Sequence, residues 1–303
     1  MGSPQFALPT LRALAAHYPV IGVVTQPDRP AGRGRKLSPP PVKILAEELG
    51  LAVVQPRRLG EAQAMSQLRA WTPDLIVVAA FGQILRQEVL DLPPYGCLNV
   101  HASLLPRWRG AAPVQAAILN GEQETGVTIM KMDAGVDSGP ILKQRALPIR
   151  PDDTGGSLSQ RLAELGAELL LETLPAYLRG ELTPHPQAGE ASYAPMLKKK
   201  DGLLDFSLPA EVLARKVRAF HPWPGTFMPW RGELLKIRQA HPVAAARLVA
   251  AHAWPGRRTI WEDRPAVIAG DGLLVLDEVQ PAGKRPMCGE DFLRGARDWA
   301  ETP

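Results

Sequence analysis

Over the first 180 residues, short apolar runs alternate with stretches whose apolar residues recur every three to four positions, and that alternation admits few folds. Residues 7–17 (ALPTLRALAAH) carry the period of an amphipathic helix, and residues 19–25 (PVIGVVT) read as a buried strand. The pair recurs. VKILAEELG at 42–50 is helical, LAVVQ at 51–55 a strand, EAQAMSQLRAW at 61–71 helical, and DLIVVAAF at 74–81 an unbroken apolar run of the kind found inside parallel sheets. CLNVH, APVQAAILNG, GVTIMKM and a helix within 157–179 continue the series. Such a chain is expected to form an α/β domain with a doubly wound, Rossmann-like, mostly parallel sheet, whose ligands bind beyond the carboxyl ends of the strands.

The start of the series is irregular. GSPQFALPTL has the look of a tight turn between a first strand and a first helix, yet only Met1 precedes it. The first strand is therefore expected to be truncated, the natural protein to begin several apolar residues upstream of Met1, and the sheet to show a gap or an improvised edge beside the strand containing Val20 to Val24.

From about Arg179 to Asp201 the chain is rich in Pro, Gly and polar residues and has no sustained period, which reads as a linker. Beyond it come one helical stretch, PAEVLARKVRAF at 209–220, and strand-like runs such as ELLKIRQA, PAVIAG and LLVLDEVQ separated by Gly and Pro. This is the pattern of a small β-barrel, OB-like. The expected domains are 1–180 and 202–303, with 181–201 between them.

A length of 303 residues accommodates two cores, and 45% hydrophobic with 22% charged residues is the balance of a folded globular protein. Two cysteines, Cys97 and Cys288, support neither a disulfide framework nor a zinc site, and they fit a reducing, cytoplasmic setting. The chain has no secretion signal pattern and no run of eighteen apolar residues, so neither export nor a membrane span is expected. No metal-ligand cluster and no GxGxxG turn occurs, so neither metal nor dinucleotide is implied. The net charge of +4 hints weakly at an anionic partner.

The chemistry concentrates in NVHASLLPRWRGAAP, residues 99–113. Residues two apart on a strand face the same side, so Asn99 and His101 project together from the carboxyl end of CLNVH, the ligand side of such a sheet. MDAGVDSGPI sets Asp133 and Asp137 in a Gly-punctuated loop after another strand. An amide, an imidazole and a carboxylate together suit acyl transfer: the amide donates to an oxyanion, the imidazole moves a proton, the carboxylate orients it. No Ser or Cys is evidently paired with the histidine, which favours attack by an external amine or water. Spacing alone does not separate this constellation from a turn amide and a surface imidazole.

NVHASLLPRWRGAAPVQAAILNG followed by ETGVTIMKMDAGVDSGPIL resembles the folate-dependent formyltransferases, and the likeness runs through nearly the whole chain, including the linker region and QPAGKRPM. The resemblance implies that Asn99, His101 and Asp137 are the catalytic trio and that Ser103, Leu104, Leu105 and Pro106 contact the folate. It implies 10-formyltetrahydrofolate as donor and, as acceptor, the methionine of methionyl-tRNA, the initiator, for translation initiation. A monomer is expected.

Directly after the strand at 19–25, TQPDRPAGRGRKLSPPPVK holds several basic residues among glycines and prolines; it resembles the family's insertion for the acceptor stem, with Arg33 at the key position beside Arg35 and Lys36. Lys199, among three lysines, and Lys284 with Arg285 would extend an RNA path if they lined the same side. Trp223 in HPWPG and Trp254 in AWPG could stack on bases but are expected to pack a small core. Two further readings stay open: the same trio acting on a small amine such as a glycinamide ribonucleotide or an amino-sugar nucleotide, and a tRNA-binding protein without catalysis. The basic loop and second domain weigh against the first, the trio against the second.

Overall fold

The computed structural model describes residues 1–31, 36–244 and 254–300. In chain order its first elements are α1 (Leu8–His17), β1 (Val23–Val24), β2 (Arg29–Ala31), β3 (Lys36–Ser38), α2 (Pro41–Glu48), β4 (Val53–Val54), α3 (Ala62–Trp71) and β5 (Ile76–Val78). There follow α4 (Gln87–Leu90), β6 (Cys97–His101), β7 (Arg109–Gly110), α5 (Pro113–Leu119), β8 (Glu124–Lys131), β9 (Ile141–Pro148), α6 (Gly155–Leu178) and β10 (Tyr193–Ala194). The remainder comprises α7 (Ala210–Ala219), β11 (Thr226–Trp230), β12 (Glu233–Val243), β13 (Arg258–Trp261), β14 (Arg264–Ile268), β15 (Leu273–Gln280), β16 (Met287–Cys288) and α8 (Gly289–Gly295). Both α1 and α2 carry Pro in the first turn, where a missing N–H leaves no bond unmade.

The chain divides into two compact units that interleave: Met1–Pro113, Gln123–Pro148 and Leu158–Pro195 form the first, and Val114–Glu122, Ile149–Ser157 and Met196–Pro303 the second. The boundary near 195 thus falls inside the segment expected to be a linker, whose first part carries ordered hydrogen bonds to the first unit, described below.

In the first unit, β5, β6, β8 and β9 form one sheet in that order, with β5 parallel to β6 and the next two pairs antiparallel. The α/β architecture is as expected, but the sheet is mixed: β8 and β9 are joined by residues 132–140 as a hairpin, which forces opposite directions. β1 pairs with β4 in a separate parallel pair. Between β1 and β5 lies a cavity of about 490 Å³ lined by Leu11, Val23, Trp71, Ile76 and Leu174 among others. Met1 and Gly2 cross this break, the Gly2 N–H donating to the Val24 carbonyl and the Ala79 N–H to that of Met1. β1 and β5 thus stand in separate sheets, and regular strand around Val20–Val24 is limited to Val23–Val24, whose ladder runs to β4.

β6 is buried along its whole length. Close approach of α6 fixes its position: a Cβ added at Gly166 would lie 2.6 Å from Val100 Cγ1, so glycine alone lets the helix settle onto this strand. With Val100 turned toward α6, Asn99 and His101 occupy the opposite face.

The second unit is an antiparallel sheet in the order β11, β12, β15, β14, β13, with β16 added against β15, a half-barrel on which α7 and α8 supply apolar residues. Its core holds Leu213, Leu276, Phe292 and Trp299, and the Trp299 indole N–H donates to the Thr259 carbonyl at 2.8 Å. Trp223 and Trp254, expected in this core, are instead 55% and 56% exposed. The aromatic volume is already filled by Trp230, Phe292 and Trp299, whose rings meet at 5.0–6.3 Å.

Candidate active site

Asn99 and His101, both buried, stand two residues apart at the carboxyl end of β6. The β8–β9 loop brings Asp137 to them. Asn99 Nδ2 donates to Asp137 Oδ1 at 3.2 Å, the Gly110 N–H donates to Oδ2 at 2.8 Å, and His101 Nδ1 lies 3.7 Å from Oδ2. The other ring nitrogen, Nε2, is 3.1 Å from the Trp108 carbonyl. A carbonyl only accepts, so Nε2 carries a hydrogen and a neutral ring keeps its lone pair on Nδ1, toward Asp137. The second amide N–H of Asn99 is not needed for Asp137.

The loop that carries Asp137 is built around strain and local bonds. Asp137 has φ +49°, a conformation that non-glycine residues adopt only when their surroundings hold them there. Asp133, the other carboxylate of the loop, accepts from the Gly135 N–H at 3.0 Å and the Ser138 hydroxyl at 2.9 Å, and so acts as a turn former. Trp108, φ +59°, and Gly110, φ +111°, turn the opposite wall of the site. At Gly110 a side chain is also excluded by space, since a Cβ would approach the Ala194 carbonyl oxygen to 2.7 Å.

Ser103–Pro106 follow His101 directly. Ser103 is fully buried and its hydroxyl donates to the Arg107 carbonyl at 2.5 Å, while Leu105 is buried beneath the turn. Leu104 and Pro106 are half-buried. Thr128 on β8 ties the turn down: its hydroxyl donates to the Ser103 carbonyl at 2.6 Å and accepts from the Leu105 N–H at 3.1 Å. Gln144 on β9 donates to the Leu105 carbonyl at 2.9 Å. Val136, beside Asp137 in the β8–β9 loop, is an exposed apolar residue.

Cys97, on the same face of β6 as Asn99, is no rival nucleophile: burial pushes its thiol up to about 12, and its Sγ lies 3.7 Å from the Val89 carbonyl. Arg33 and Arg35 lie outside the described residues. Lys36 opens β3. Lys199 sits exposed in a tight turn closed by Asp201, and Lys284 and Arg285 are exposed between β15 and β16, all three in the second unit. Reasoning from sequence missed Thr128, Gln144, Arg109, Gln187 and Ser192. They bond to partners 16 to 84 positions away, and no local pattern signals such bonds.

The formyl transferase family matches residues 5–174, and its C-terminal domain matches residues 196–297. Over 303 aligned residues the chain is 50% identical to the methionyl-tRNA formyltransferase of Roseiflexus sp. (strain RS-1), covering 98% of this chain and 91% of that one. The chain belongs to the methionyl-tRNA formyltransferase family. The fold agrees with solved formyltransferases. WlaRD, a sugar 3N-formyl transferase crystallised in the presence of dTDP and 5-N-formyl-THF, superposes with a TM-score of 0.66 at 18% identity, covering 94% of this chain and 97% of that one. The methionyl-tRNA formyltransferase from Clostridium thermocellum gives 0.52 at 16% identity, with 77% and 91% covered. Among the described residues no helix is long and apolar enough to cross a membrane.

Proposed function

We propose that the chain transfers the formyl group of 10-formyltetrahydrofolate to the α-amine of methionine on initiator tRNA, with Asn99, His101 and Asp137 as the groups that carry the chemistry. The observation behind this reading is the convergence of an amide, an imidazole and a carboxylate at the end of β6, with Cys97 held as an inert thiol.

The amine attacks the formyl carbon, and the carbonyl oxygen becomes an alkoxide that the second N–H of Asn99 stabilises. His101 Nδ1 takes the proton that the amine sheds, and the resulting imidazolium is held by the Trp108 carbonyl on one side and the Asp137 carboxylate on the other. The intermediate then breaks its bond to N10 of the folate, which receives that proton, so products are the formylated amine and tetrahydrofolate. Leu104 and Pro106, half-buried, offer apolar surface suited to a flat ring system, while buried Ser103 and Leu105 shape the turn beneath.

Recognition of tRNA is assigned to Arg33, Arg35, Lys36, Lys199, Lys284 and Arg285. Exposed Trp223 and Trp254, the latter with Arg257 over its ring at 5.5 Å, add surfaces on which bases stack. A cytoplasmic setting and a monomeric working state complete the reading.

Single-turnover transfer with Asn99→Ala, His101→Ala and Asp137→Ala tests the assignment: each is expected to slow by at least ~10²-fold with the fold intact. Near-normal turnover in His101→Ala would remove it from the role of base.

A further inference from the structure

The last stretch of the first unit, residues 185–194, is bound across the loops of the proposed site. His185 exchanges both backbone hydrogen bonds with Ile141, at 2.9 and 2.8 Å, and anchors the segment on β9. Seven residues on, the Ser192 hydroxyl accepts from the Trp108 N–H at 2.9 Å, the Ser192 carbonyl accepts from the Arg109 N–H at 2.9 Å, and β10 pairs in parallel with β7. Between these anchors stands Gln187. Its Oε1 accepts from Arg109 Nε at 3.0 Å and Nη2 at 2.6 Å, and its Nε2 donates to the carbonyls of Asp137 and Gly139, both at 2.8 Å. Guanidinium only donates and carbonyls only accept, so the amide has one possible orientation and all four bonds are made together.

We propose that Gln187 is a positioning residue for formyl transfer, cross-tying the Arg109–Gly110 turn to the Asp137 loop so that the Asp137 carboxylate is presented to Asn99 and His101. The proposal rests on the reading of Asp137 as part of the trio. Both loops that Gln187 joins end on that one carboxylate: the Gly110 N–H donates to Oδ2, and Asp137 itself supplies one of the carbonyls. Asp137 sits at φ +49°, a conformation few non-glycine residues adopt although Asp tolerates it, and the bond to its own carbonyl helps to hold it there. Gln187 need touch neither donor nor acceptor to do this. Its role is geometric, and displacement of a catalytic group by about an ångström is enough to cost on the order of 10²-fold in rate.

Gln187→Leu removes all four bonds, whereas Gln187→Glu keeps an acceptor for Arg109 but presents carboxylate oxygen to two carbonyls. Single-turnover rates, KM for each substrate and thermal stability are measured for both, for Asp137→Ala and for the Asp137→Ala/Gln187→Leu double variant. Both Gln187 variants are expected to slow transfer by about ten- to a hundredfold with KM for donor and tRNA within about twofold. In the Asp137→Ala background Gln187→Leu is expected to add less than about a further twofold, because the group it positions is gone. Wild-type rates in Gln187→Leu, full retention in Gln187→Glu, or a loss that multiplies undiminished in the double variant would each overturn the proposal while leaving the trio in place. A near-normal rate for Asp137→Ala alone would overturn the trio reading, and the proposal with it.

Discussion

At the scale of single residues, the carboxyl of Asp137 is where Asn99, His101 and the Gly110 turn converge. It accepts from an amide side chain and a backbone N–H and faces an imidazole nitrogen, which in the proposed mechanism carries the proton the amine sheds. Asp137→Asn preserves shape but not this pattern: if its oxygen takes the Gly110 N–H, its NH2 confronts the NH2 of Asn99, and no charge remains for the imidazolium. Transfer by Asp137→Asn is therefore expected to fall by ~10²-fold or more, close to Asp137→Ala; a rate within a few-fold of wild type would show that only the acceptor geometry matters. The two cysteines make a contrasting pair. Cys97 is buried with its thiol pushed up to about 12, whereas Cys288 is exposed. Native protein treated with a maleimide at neutral pH is expected to modify Cys288 alone, with Cys97 reacting only after denaturation.

Among the elements, β6 depends most on its neighbours. It is paired on both edges and buried at every position, and α6 approaches it over Gly166. Gly166→Ala places a methyl against Val100, a β-branched side chain with little freedom to move aside, and is expected to destabilise the protein by about 1–3 kcal/mol, read from the denaturant midpoint. An unchanged midpoint would mean that α6 shifts without cost. Element order in this half was legible because period and composition are local: CLNVH and the helices at 42–50 and 61–71 fall within one or two residues of α2, α3 and β6. Strand direction was not, since β8 already runs opposite to β6 after the long connection through α5, and no local period reports such a reversal. Nor was the role of residues 185–194. Without apolar period they look like a linker, yet Gln187 and Ser192 hold the loops through polar bonds to residues far away in sequence. Strands β1 and β4 fell short of the runs that suggested them, because apolar residues become ladder only where a neighbour pairs with them.

For the whole molecule, the trio lies in the first unit, and the tRNA contacts proposed for Lys199, Lys284 and Arg285 lie in the second. The second unit has an aromatic core of its own, in which Trp299 is fully buried, and it leaves Trp223 and Trp254 at the surface. Arg33 is assigned to RNA alone, so Arg33→Ala is expected to raise KM for tRNA while leaving KM for the folate unchanged. It is also expected to lessen the slope of log affinity against log salt by about one. Equal slopes would exclude a phosphate contact at Arg33. The most direct test of the central claim supplies labelled 10-formyltetrahydrofolate together with one acceptor at a time: methionyl initiator tRNA, methionyl elongator tRNA, a glycinamide ribonucleotide, or an amino-sugar nucleotide. Label is expected in the methionyl initiator tRNA, bound to the α-amine and dependent on His101; label appearing in a small amine while the initiator tRNA stays unlabelled would contradict that assignment.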